Sequence, residues 1–175
     1  MEKIIKKIAI IGAESTGKSD LCKRLATHYK TVFVPEYART YFSNKDINNY
    51  TISDLEIIAQ NQIESERKIL KQANTFLFCD TTLLTIKIWA DLEFNKAVTF
   101  VEDNLHKINY DYYLITNNDV PWEPDPLRQN KFSRDLIFKL NLDFIKKINA
   151  NYFIVEGTNA SRLKNAVGFI DKLLQ

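Results

Sequence analysis

The 175-residue chain predicts a doubly wound, three-layer α/β sandwich: a five-stranded, mainly parallel sheet with helices on both faces. Five short apolar, β-branched runs alternate with segments whose apolar residues recur at helical spacing. A glycine loop, Gly12-Ala13-Glu14-Ser15-Thr16-Gly17-Lys18-Ser19, joins the first such run to the first helical segment. No internal repeat, low-complexity tract or linker-like break divides the sequence. Residues 1–175 therefore read as one domain, long enough to bury a sizeable core.

Ile4–Ile11 suits a buried strand. Leu21, Cys22, Leu25, Ala26 and Tyr29 then recur at helical spacing. Thr31–Val34 is a short strand stopped at Pro35. Glu36-Tyr37-Ala38-Arg39 and a polar stretch, Ser43–Tyr50, follow. Ser53-Asp54-Leu55-Glu56 reads as a capping box opening a long helix that stops near Asn74. Its apolar side carries Leu55, Ile58, Ala59, Ile63, Ile69 and Leu70. Thr75–Cys79 is a strand ending in Asp80. Helical patterns cover Thr81 to Asp91 and Lys96 to Lys107, and Tyr110–Thr116 is the fourth strand. Asn117 to Asn130 is a loop with three prolines, after which Ser133 is placed to cap a helix. Tyr152–Val155 is the last strand, and Gly157 opens its exit turn. Leu163, Ala166, Val167, Ile170 and Leu174 mark the last helix.

A net charge of +2 gives no argument for a nucleic-acid or membrane partner. Cys22 and Cys79 lie in apolar patterns, as buried thiols do, which suits a reducing cytoplasm. The lysine-flanked start is too short for a signal peptide and runs straight into the glycine loop. No segment reaches membrane-spanning length. His28 and His106 carry no assignable role, and no metal-ligand cluster, catalytic cysteine or Ser-His-Asp pattern is present.

In such sheets ligands bind beyond the carboxyl ends of the strands. That singles out the glycine loop, Glu36, Asp80, Asn117 to Asp125, and Gly157. Glycines at 12 and 17 let the backbone curl so that successive N–H groups face inward, and the following helix adds positive potential where phosphates sit. Gly12, Glu14, Ser15, Thr16, Gly17, Lys18 and Ser19 are thus expected to hold ATP. The motif ends at Ser19, and the next residue, Asp20, is assigned no part in holding the nucleotide. Lys18 reaches the β- and γ-phosphates, and the Ser19 hydroxyl binds Mg2+. Asp80 closes a buried run, the place for a second Mg2+-binding carboxylate; a solvated cap of the next helix is compatible with that role, and the buried run and strand order favour the metal. Glu36 suits a carboxylate that orients an acceptor hydroxyl; a turn with Arg39 as ion-pair partner explains it too. The proline-stiffened loop, about 117–134, reads as a lid bringing Arg128 and Arg134 to phosphate.

Taken together, the glycine loop, Pro35-Glu36-Tyr37-Ala38-Arg39, Asp80-Thr81-Thr82-Leu83-Leu84-Thr85 with Lys87-Ile88-Trp89, and Asp119-Val120-Pro121-Trp122 through Asp125 and Arg128 resemble the ribosylnicotinamide kinase family, in particular the kinase domain of bacterial NadR-type proteins. The likeness spans nearly the whole chain in order. It implies a P-loop kinase fold and phosphoryl transfer from ATP to the 5′-hydroxyl of nicotinamide riboside. It implies catalytic roles for Lys18, Glu36, Asp80 and Arg128, with Ser19 and Asp80 at the metal. Glu36 and Asp80 both qualify as the base, and position selects Glu36. The cationic pyridinium of the riboside suits aromatic faces and carboxylates, so Tyr37, Arg39, Trp89, Trp122 and Asp125 join Glu36 as expected substrate contacts. Pro126 stands where such lids often carry glycine. The His-x-Gly-His motif of the adenylyltransferase partner domain is absent from the sequence, as is a DNA-binding region. A homo-oligomer is compatible with all of this. The competing expectations are another nucleoside or nucleoside-monophosphate kinase, and a P-loop switch or ATPase module.

Overall fold

The computed structural model describes residues 4–125, 127 and 133–174. Strands β1 (Lys6–Gly12), β2 (Phe33–Val34), β3 (Phe76–Asp80), β4 (Tyr112–Thr116) and β5 (Tyr152–Val155) form one sheet in the order β2-β3-β1-β4-β5. Every neighbouring pair is parallel. The helices are α1 (Lys18–His28), α2 (Tyr37–Phe42), α3 (Ile52–Leu70), α4 (Leu83–Phe94), α5 (Thr99–Asn104), α6 (Arg134–Lys147) and α7 (Asn159–Ile170).

The two-residue period of β1 divides the core. Ile8 and Ile10 face α1 and α7, packing with Leu21, Leu25, Ala166 and Ile170. Ala9 and Ile11 face α4 and α6, packing with Leu84, Ile88, Ile137 and Ile145. That is the three-layer α/β sandwich the sequence predicts. Burial on both faces is why its strands read as continuous apolar runs. Both cysteines are buried and free.

Several boundaries differ from the expected ones. The capping box of α3 is Thr51 and Asp54, not Ser53 and Glu56: the Asp54 carboxylate accepts the Thr51 N–H at 2.7 Å. Thr51 has the extended backbone an N-cap needs, so the helix starts two residues early. It also ends at Leu70, before the expected stop near Asn74. The segment from Lys96 contributes only the short α5. Ser133 precedes α6 without a side-chain cap bond. Helix α2, at six residues, is too short to announce itself by periodicity.

Two buried polar side chains fix the strand exits. Gln62 of α3 is fully buried. Its Nε2 donates to the carbonyls of Pro35 (3.3 Å) and Asp80 (3.4 Å), and its Oε1 accepts from the Tyr37 N–H at 2.8 Å. One amide thus ties the exit of β2 to the exit of β3. Arg162 of α7, 4% exposed, does the same across the sheet. Its Nε donates to the Gly157 carbonyl (2.7 Å) and its Nη2 to the Asn117 carbonyl (3.2 Å). It also donates to the Thr16 carbonyl of the glycine loop and pairs with Asp119.

Removing Arg162 leaves the Thr16, Asn117 and Gly157 carbonyls without its donors and Asp119 without its cation. Arg162→Met is expected to lose roughly 3 kcal/mol of stability, a fall in Tm of about 6–12 °C by differential scanning fluorimetry. A Tm within about 2 °C of wild type would contradict this role for Arg162.

Candidate active site

A cavity of about 650 Å³ opens at the carboxyl ends of the strands. The glycine loop forms its floor. Gly12 stands at φ 138°, and a Cβ there would lie 2.4 Å from Thr116 Oγ1, so the close approach of β1 to β4 excludes any side chain. Ser15 (φ 54°) and Gly17 (φ 76°) complete the reversal before α1. Thr16 Oγ1 donates to the Ala13 carbonyl (2.8 Å) and shares a 2.6 Å hydrogen bond with Thr116 Oγ1, which pins the loop to β4. Lys18 Nζ donates to the Ala13 carbonyl at 2.6 Å, folded across its own loop.

The loop carbonyls that turn outward are claimed from both sides. The Thr16 carbonyl accepts from Arg162, and the Ser15 carbonyl from Arg134 at 3.3 Å. Arg134 also donates to the Val120 carbonyl at 3.0 Å. The segment after β4 meets the same loop again, because the Glu123 N–H donates to Ser15 Oγ at 2.7 Å.

Glu36 stands at the N-cap position of α2, at the exit of β2, with no side-chain cap bond, and lines the cavity. Its carboxylate pairs with Arg39 at 3.3 Å, and Arg39 pairs with Asp125 at 3.0 Å. Asp80, 1% exposed, sits at the end of β3 opposite Ile10 in the ladder. The chain leaves through Thr81 at φ 74°, left-handed backbone that a β-branched residue tolerates only at a cost of about 1–3 kcal/mol. Burial, and then the nearby Glu36 charge, push the Asp80 carboxyl up to about 6; Ser19, Lys18 and Arg39 pull it back. Asp80 Oδ1 is buried and has no hydrogen-bond partner among the described residues. With the exposed Ser19 hydroxyl it makes a two-oxygen donor set of the kind Mg2+ accepts alongside waters. Among the described residues no group of three or more His, Cys, Asp or Glu is arranged to hold a metal.

Of the residues singled out by sequence, Gly12, Glu14, Ser15, Thr16, Gly17, Lys18, Ser19, Glu36, Arg39 and Trp89 line this one cavity. Trp89 is fixed there by its Nε1–H, which donates to Tyr50 Oη at 2.7 Å. Asp20, with no part assigned from sequence, lines the cavity as well, from the first turn of α1. Its exposed carboxylate pairs with Arg24 one turn on, at 3.5 Å. Tyr37, Asp80, Trp122, Asp125 and Arg134 are not among the lining residues. Tyr37 instead packs with the α2–α3 cluster. Arg128 and Pro126 lie outside the described residues. Gln62, Arg162 and Asn141 have no role assigned from sequence, and Thr85 has only its place in a motif. Gln62 and Arg162 hold the strand exits, and Thr85 and Asn141 line the cavity.

Among the described residues no helix is long and apolar enough to cross a membrane. The chain is 27% identical over 157 residues to the "Trifunctional NAD biosynthesis/regulator protein NadR" of Salmonella typhimurium and, to the same degree, of Escherichia coli. Those matches cover 87% of this chain and 38% of each relative, so the chain spans about two fifths of their length. Among solved structures, NadR in complex with NAD and AMP-PNP superposes with a TM-score of 0.79 at 19% identity, covering 95% of this chain and 49% of that one. NadR in complex with NR gives 0.80 at 18%, with coverage of 95% and 50%. Thymidylate kinase from Ehrlichia chaffeensis gives 0.62 at 16%, with coverage of 98% and 99%. The fold is therefore the P-loop kinase fold. The family model described as "AAA domain" matches residues 7–162, nearly the whole sheet and both cavity walls, and the chain belongs to that family.

Proposed function

We propose that this chain is an ATP-dependent kinase that phosphorylates the 5′-hydroxyl of nicotinamide riboside, giving nicotinamide mononucleotide and ADP. One observation carries the reading: a single cavity joins a phosphate-binding loop with its lysine to a carboxylate, Glu36, at the neighbouring strand exit. A switch or ATPase needs the first of these; a transferase needs both. The NadR names and the NR complex of a structural neighbour support the riboside as acceptor. The likeness to thymidylate kinase favours a second reading, a pyrimidine nucleotide acceptor on the same fold.

The proposed chemistry is in-line transfer with little covalent help from the protein. Glycine-loop N–H groups hold the ATP phosphates, and Lys18 exchanges the Ala13 carbonyl for phosphate oxygens. Ser19 and Asp80 would hold Mg2+, which would supply charge neutralisation for the transferring phosphoryl group. Glu36 orients the acceptor hydroxyl and takes its proton; Arg39 holds that carboxylate in place. Trp89 offers an aromatic face to the pyridinium. Residues 117–134 act as the lid, with Glu123 already seated on Ser15 and Arg134 bracing the loop carbonyl. Arg128, named from sequence for the lid, lies outside the described residues. The proposed setting is the cytoplasm, with small molecules as the only ligands.

Lys18→Ala is expected to lower riboside-dependent ADP release by about 100-fold or more while leaving the Tm near wild type. Glu36→Gln is expected to lower kcat by about 100-fold or more with little change in KM for ATP. Wild-type turnover in Lys18→Ala would overturn the scheme. A rise in KM for ATP with kcat intact would remove Glu36 from the base role.

Asp80 supplies a pH test. With its folded value raised to about 6 and the unfolded value ordinary, the native protein binds the extra proton between those values. The charged carboxylate is thus a liability that grows as pH rises through that window and is full above about pH 6. Asp80→Asn is expected to be more stable than wild type at pH 7.5, and the gap is expected to close below about pH 4. The same substitution removes the rise in Mg-ATP affinity near pH 6 if Asp80 ligates the metal. A stability gap that stays constant from pH 4 to 7.5 would contradict the buried-carboxylate assignment.

A further inference from the structure

The cavity has an apolar recess between α4 and α6, walled by Ile88, Leu92 and Ile137. Two polar residues line the cavity beside these, Thr85 of α4 and Asn141 of α6. Asn141 is 1% exposed, and its Nδ2 donates to the Ile137 carbonyl at 2.8 Å. That bond fixes the amide orientation, so Oδ1 is the atom left over, and it is buried with no partner among the described residues. Thr85 Oγ1 is likewise buried and unpartnered. An orphaned acceptor inside a fold is costly to keep, and few are kept without a use. Neither group is needed by the phosphate chemistry, which lies with the glycine loop, Glu36 and Asp80.

The two atoms are complementary in kind. Asn141 Oδ1 can only accept a hydrogen bond, whereas the Thr85 hydroxyl rotates and can donate. An apolar slot with one acceptor and one donor matches a flat ring bearing a primary carboxamide, whose N–H donates and whose C=O accepts. A carboxylate in the same place sets a negative oxygen against Asn141 Oδ1 and brings no donor. We propose that Asn141 Oδ1 and the Thr85 hydroxyl form an amide-reading subsite that selects a carboxamide-bearing acceptor over its carboxylate analogue. This rests on the riboside-kinase reading for the identity of the acceptor.

The test is equilibrium binding by isothermal titration calorimetry, with AMP-PNP and Mg2+ present, of nicotinamide riboside and of nicotinic acid riboside. Wild type, Asn141→Leu and Thr85→Val are compared, and ADP release is measured in parallel. Wild type is expected to bind the amide about 100-fold more tightly than the acid, since a site built around hydrogen bonds rejects a ligand that leaves them unmade. Asn141→Leu is expected to bring the two affinities within about threefold, and Thr85→Val to weaken the amide about tenfold, both with AMP-PNP affinity unchanged. Because Leu removes an orphaned oxygen at similar volume, ligand-free Asn141→Leu is expected to melt at or above the wild-type Tm; a merely structural asparagine would melt lower. If Asn141→Leu does not fold, the proposal is overturned on that ground.

Equal wild-type affinities, a preference that survives both substitutions, or a loss confined to AMP-PNP would each overturn the subsite. Selective binding through Asn141 without ADP release sinks the kinase reading and leaves the subsite standing. Equal phosphorylation of both ribosides sinks the subsite and leaves the kinase reading standing.

Discussion

A loop that turns its N–H groups toward a phosphate must turn carbonyls away from it, and those carbonyls need donors of their own. Here the donors are arginines from two different helices. Arg134 at the start of α6 takes the Ser15 carbonyl, and Arg162 of α7 takes the Thr16 carbonyl. Each also grips a neighbouring strand exit, at Val120 and at Asn117 and Gly157. The cradle is thereby braced by the segments that surround it. The positive charges behind it add to the potential of the α1 N-terminus. Gly12 completes the brace, since only a missing side chain lets β1 approach Thr116 so closely.

The acceptor side is organised by a different tension. Glu36 and Asp80 are like charges brought to adjacent strand exits, and Gln62 holds those exits together through the Pro35, Tyr37 and Asp80 backbones. Arg39 offsets part of the repulsion and passes the link on to Asp125. Burial first, and then what repulsion remains, raise the Asp80 carboxyl. A group strained in this way toward the neutral form is one that a bound cation relieves, so the ligand-free tension and the proposed metal role have the same origin. Thr81 stores further strain at the same point.

The fold was legible because its signals are local. Buried parallel strands are continuous apolar runs, and the glycine loop is a contiguous motif between strand and helix. The place of Asp80 at a strand end was legible for the same reason: it ends such a run. Gln62 and Arg162 were harder, because the strand exits and loop they tie together, Pro35, Tyr37 and Asp80 for Gln62 and Thr16, Asn117 and Asp119 for Arg162, lie 18 to 146 residues away in sequence. A trace of them was present nonetheless. Gln62 sits between Ala59 and Ile63 on the buried side of α3, and Arg162 lies on the stripe of Ala166 and Ile170, so each is a polar residue on an apolar face. The aromatics went the other way. Trp89 lines the cavity, but Tyr37 is spent on packing, because a large ring fills core as readily as it stacks on a ligand.

Transfer of phosphate to a pyridine riboside, proposed for the braced cradle and the carboxylate across from it, is tested by ADP release from Mg-ATP by the purified chain with nicotinamide riboside, uridine, cytidine, thymidine, thymidine monophosphate or no acceptor, the products identified by mass. The expected result is ADP release that depends on the pyridine riboside, with nicotinamide mononucleotide as product. Release only with pyrimidine acceptors, or release that ignores the acceptor altogether, would contradict it.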